Sequence, residues 1–244
     1  MIKFFRKIRY DLMEKNKTGK YLKYAIGEVF LVMIGILLAL QVNNWNENRK
    51  ATNSERILLG NLVKDLELEE IRFNQNLNGI DRNLKTHEQL YLIGVKDRND
   101  ITIENPNLVR AIPNFDPRLN KDYSLISDKL TNEEIREDLL EYNHSLKSIE
   151  VGFIEYRKVI VDRIRIYLGE KGLYKLESLY TNKSGDDLVI FDLDELINLA
   201  KTNEFQQLLF EAKLKLDAVD RRLNNIVQQN IELRKTIMKI LDHN

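Results

Sequence analysis

Residues 29–42 read VFLVMIGILLALQV, and no charge appears between Glu28 and Glu47. Elsewhere the chain places charges at short intervals, and DEKR residues make up 31% of it. With Tyr24-Ala25-Ile26-Gly27 before it and Asn43-Asn44-Trp45 after it, this run reaches the roughly 20 residues that a bilayer crossing requires. The reading predicts one transmembrane helix over 21–45, a cytoplasmic amphipathic segment over 1–20 and an exported domain over 46–244.

Charge on either side gives the helix a direction. The whole chain balances 38 basic against 38 acidic residues. Its first 23 residues, however, are strongly basic and residues 51–244 are acidic. Basic segments stay on the cytoplasmic side, so the N-terminus is expected inside and the large domain in the periplasm of a bacterial inner membrane. No small-x-small cleavage pattern follows Leu40, which favours an uncleaved signal anchor over a removed signal peptide.

Within residues 1–15, Phe4, Phe5, Ile8 and Leu12 fall on one helical face, with Lys3, Arg6 and Lys7 opposite. Such a helix suits the cytoplasmic headgroup layer. Trp45 is expected as the outer interfacial anchor. Asn16 to Lys20 reads as a turn between the two helices.

Along the spanning helix, Gly27, Glu28, Leu31, Gly35 and Ala39 share an arc of about 120° at helical periodicity. Small residues on one stripe let two membrane helices approach closely. The expected partners are therefore the lipid bilayer and another membrane protein or a second copy of the chain. A carboxylate inside a spanning segment is a functional-site hypothesis by default. The simpler reading is that Glu28 snorkels to the interface and pairs locally.

The exported part is expected to be all-α: an elongated, antiparallel helical bundle with coiled-coil-like packing. Phe73, Leu77, Ile80, Leu84, His87 and Tyr91 alternate four- and three-residue steps and predict a seam. On that seam His87 is expected to be packed and hydrogen-bonded. The three prolines (Pro106, Pro113, Pro117) mark a long loop, with a short strand expected at Ile101–Ile103. Thr131-Asn132-Glu133-Glu134 is a capping box that opens a second long helix. Leu193–Lys201 and Asn203–Leu241 predict a short and a long helix.

The chain has no Cys and three His, which excludes disulfides, thiol catalysis and a lipid-modified cysteine anchor. No metal-binding, phosphate-loop or nucleophilic-triad pattern is visible, so no catalytic, cofactor-binding or metal residues are assigned and no enzyme activity is expected. The acidic group Asp186, Asp187, Asp192, Asp194 and Glu195 lacks the spacing of a calcium loop and reads as a solvated helix start. An acidic exported domain also argues against nucleic acid.

The blocks MIKFFRKIR, KYAIGE and IGILLALQVNNWNENR, with FDPRLNKDYSLISDKLTNEEIREDLLEY and NEFQQLLFEAK further on, resemble a family of uncharacterised proteins of Bacteroidota. That family is known as a domain of unknown function. The resemblance implies a single-pass membrane protein and supplies no activity; this chain departs from the family's Ser-Gly at Ser127-Asp128. Two functions follow as expectations. The first is a non-enzymatic, membrane-anchored helical module for protein interaction or sensing. The alternative is an accessory subunit of an ion-coupled membrane complex that uses Glu28.

Overall fold

The computed structural model describes residues 10, 18–98, 100–113, 123–180 and 188–243. The chain folds as six α-helices among these residues: α1 (Thr18–Lys96), α2 (Tyr123–Ser127), α3 (Glu133–Val159), α4 (Arg165–Glu170), α5 (Leu193–Ala200) and α6 (Asn203–His243). Two 3-10 turns, Pro106–Arg110 and Leu176–Tyr180, and a π-helical segment, Ile160–Ile164, complete it. The architecture is all-α. Ile101–Ile103 forms no strand, and one isolated antiparallel bridge joins Tyr174 to Phe191.

The expected turn at Asn16–Lys20 is corrected in its second half, because Thr18–Lys20 already belong to α1. The helix continues without interruption to Lys96, since nothing from Ala25 to Lys96 is a proline and each backbone amide finds its partner within the helix. Phe4, Phe5, Ile8 and Leu12 lie outside the described residues.

Two compact units divide the chain, Met1–Ile57 and Leu58–Asn244. In the first unit one helix is long and apolar enough to cross a membrane, and its apolar window is wholly unburied. That is compatible with a membrane anchor.

The second unit has a continuous core. On α1 it runs through Leu59, Leu62, Leu66, Phe73, Ile80, Leu90 and Ile93. The expected seam is therefore rotated. Phe73, Ile80 and His87 are buried, Leu77 and Leu84 are half-buried, and Tyr91 is exposed. The missing steps are filled by polar residues, Glu69 and Asn83, each at most 2% exposed. An apolar-only search passes over them.

Side-chain bonds give the helix directions. Glu69 meets Tyr142, and Asn83 meets Tyr156, so α3 runs parallel to this part of α1. Asn230 reaches the Leu66 carbonyl while Gln206 reaches that of Leu90, so α6 runs antiparallel to α1. Arg222 on Ser148 and Lys215 on Glu155 place α6 antiparallel to α3 as well.

The described parts of the connection between α1 and α3 return along α1, which makes the parallel pair possible. Asp97 ends the helix in the left-handed region at φ 50°, a conformation short polar side chains tolerate. Lys85 then meets Glu104 at 2.7 Å, and Asn83 donates to the carbonyls of Leu108 (3.2 Å) and Ala111 (2.9 Å). Tyr123 finally reaches Glu69. The loop's backbone acceptors are thus met by α1 side chains, as buried carbonyls require.

The cap of α3 differs from the expected box. Asn132, not Thr131, accepts the Ile135 amide at 3.0 Å. At the other end of the α3–α4 run, Gly172 adopts φ +68°. Its amide and that of Leu173 bond the carbonyls of Gly169 and Leu168 in a Schellman arrangement. Asp192 caps α5 by accepting the amides of Asp194 and Glu195, which is the solvated helix start read for that acidic group; Asp186 and Asp187 lie outside the described residues.

Candidate functional site

Three places hold candidate functional side chains. The first is the stripe in the first unit. Leu31 and its apolar neighbours are exposed, and a Cβ added at Gly27 or Gly35 would meet nothing within 4 Å. Among the described residues, nothing covers Gly27, Gly35 or Ala39. Glu28 is half-buried and engaged within the chain. Trp45 is 64% exposed, and the Arg49 guanidinium lies 5.4 Å from its ring centroid.

The second place is a polar relay in the core of the second unit. The Glu69 carboxylate accepts the hydroxyls of Tyr123 and Tyr142, the latter at 2.6 Å. Asn230 donates to the Tyr142 oxygen at 3.0 Å, and Arg234 donates to Asn230 at 3.0 Å while pairing with Glu70. Burial, followed by the Glu69 charge, pushes both tyrosine hydroxyls well above their usual range. They remain protonated and act as fixed donors. Sequence reading missed this group; the only signal was polar residues at seam spacing.

The third is a groove of about 800 Å³ between α1 and the start of α6. Gly94 creates the local geometry. A Cβ there would collide with the Ala200 carbonyl, so glycine lets the end of α5 rest on α1. Gln206 fixes the junction by donating to the carbonyls of Ala200 (2.7 Å) and Leu90 (3.3 Å). Next to this contact the helices bound a groove lined by His87, Tyr91, Val95, Leu209, Phe210 and Lys213, among others.

His87 is 2% exposed, and neither ring nitrogen has a hydrogen-bond partner. The expectation of a packed histidine holds, and that of a hydrogen-bonded one does not. The Val109 backbone is close enough to favour the charged ring, but it falls outside hydrogen-bond geometry. Burial dominates and lowers the His87 pKa to about 4, so the ring is neutral near pH 7. Lys213 is exposed and donates to Asp217 at 2.6 Å.

Among the described residues, no three His, Asp or Glu side chains stand close enough together to hold a metal ion. His144 is exposed on α3.

Residues 28–111 match the profile of DUF6090, a family of unknown function. The match begins at Glu28, takes in the apolar run and the α1 seam with Glu69, Asn83 and His87, and ends where the returning loop meets Asn83. No curated protein and no solved structure matches the chain.

Proposed function

We propose that the chain is a non-enzymatic module anchored in the bacterial inner membrane, with its helical domain in the periplasm, serving protein interaction or sensing. One observation carries this reading: among the described residues, the apolar window of α1 is wholly unburied. Burying that many aliphatic side chains is worth about 1.5–3 kcal/mol each, so they require an apolar medium. The basic segment before the run supports a cytoplasmic N-terminus.

Another membrane helix is the proposed partner of the Gly27–Ala39 stripe, because both glycines leave open space there. The ion-coupled alternative rests on Glu28 alone. Glu28 has an interaction within the chain, and Glu28→Gln separates the two: normal insertion and assembly with no ion-dependent function lost removes the alternative.

The test is purification of the tagged chain in mild detergent, with its associated membrane proteins identified by mass spectrometry. A specific partner or a homo-oligomer that Gly35→Leu dissociates supports the reading. A monomer with no partner contradicts it.

A further inference from the structure

We propose that the groove between α1 and α6 binds a neutral, apolar small molecule bearing a hydroxyl group, with His87 recognising the hydroxyl. The site lies in the second unit and does not depend on the membrane reading.

Its size of about 800 Å³ falls within the range of small-molecule pockets. Tyr91, Val95 and Phe210 give it apolar walls, and all three stay solvent-exposed, Phe210 at 61%. Among its lining residues is a buried imidazole whose two nitrogens find no hydrogen-bond partner among the described residues. An unsatisfied buried polar group is destabilising, and a leucine at this seam position would avoid that cost.

The chemistry selects the ligand. A neutral imidazole offers one donor and one acceptor, and a hydroxyl matches whichever it meets. An anion is opposed by Glu88, an exposed carboxylate on the groove wall, and by Asp217 beside Lys213. A cation is opposed by Lys213 itself. A neutral molecule meets neither penalty. Access to the ring nitrogens requires rotamer changes, which are fast for exposed side chains such as Tyr91 and Lys213.

The test uses the full chain in lipid nanodiscs, with empty nanodiscs as reference, and equilibrium dialysis of 1-naphthol against naphthalene. Saturable binding is expected, with 1-naphthol held about tenfold tighter, the scale of one well-made hydrogen bond. His87→Leu is expected to abolish the preference, and Phe210→Ala to weaken both probes. Wild-type ring ¹⁵N spectra give an independent readout, because the chain has three histidines: 1-naphthol is expected to shift the His87 nitrogens. Equal affinity for both probes, a preference that survives His87→Leu, or unmoved His87 resonances would overturn the proposal. Probe binding that falls as protein concentration rises would assign the groove to a second copy and would also overturn it.

Discussion

The Tyr142 hydroxyl donates to Oε2 of Glu69 across 2.6 Å, joining α3 to α1 where both side chains are withdrawn from solvent. Tyr123 donates to the other oxygen, and its ring meets that of Tyr142 edge-on at 5.6 Å. A buried carboxylate is tolerable only with such partners. Tyr142→Phe removes one donor from Glu69 and the acceptor used by Asn230. It is expected to destabilise the second unit by about 1–3 kcal/mol. Denaturant unfolding followed by circular dichroism measures this, and an unchanged midpoint would refute the structural importance of the relay.

Stability should fall in acid through His87. Its pKa is about 4 in the folded chain against 6.5 for a free histidine. The unfolded state therefore takes up the proton first. The contribution is fully present above pH 6.5 and is lost as the pH falls towards 4, a total of about 3 kcal/mol. His87→Leu should flatten that part of the profile. An equal slope in both proteins would contradict a role for His87 in it.

Glycines at 94 and 35 should respond differently. Gly94→Ala drives a Cβ into the Ala200 backbone, whose carbonyl carbon would lie 2.6 Å away. Overpacking against backbone costs about 1–3 kcal/mol or more, and thermal unfolding should show it. Gly35→Leu meets open space and should leave unfolding of the domain unchanged while disturbing association in the membrane. Destabilisation by Gly35→Leu would show that the stripe has a contact within the chain.

At the start of α3, Asn132→Ala should cost about 1 kcal/mol as a lost N-cap, whereas Thr131→Ala should cost less. The reverse order, measured by urea unfolding, would restore the capping box expected at Thr131.

These elements show what the sequence could and could not disclose. Long helices were legible because Leu, Ile and Phe repeat at helical spacing and prolines cluster in one loop. The rotation of the α1 seam was not, because Glu69 and Asn83 meet partners more than 20 residues away: Tyr123 and Tyr142 for one, the Leu108 and Ala111 carbonyls for the other. Ile101–Ile103 had strand-like residues but no neighbouring strand to pair with. The groove was equally hidden. It depends on Gly94 admitting Ala200 and on Tyr91 lying off the buried seam, and both are tertiary facts.

Membrane anchoring is tested most directly by alkaline carbonate extraction of bacterial membranes, followed by immunoblotting for a tag placed after Asn244. The expected result is a full-length chain retained in the membrane pellet, with release only when Ile34 and Leu37 are both replaced by Lys. A wild-type chain found in the supernatant, or one shortened by loss of its first 40 or so residues, would contradict the anchor.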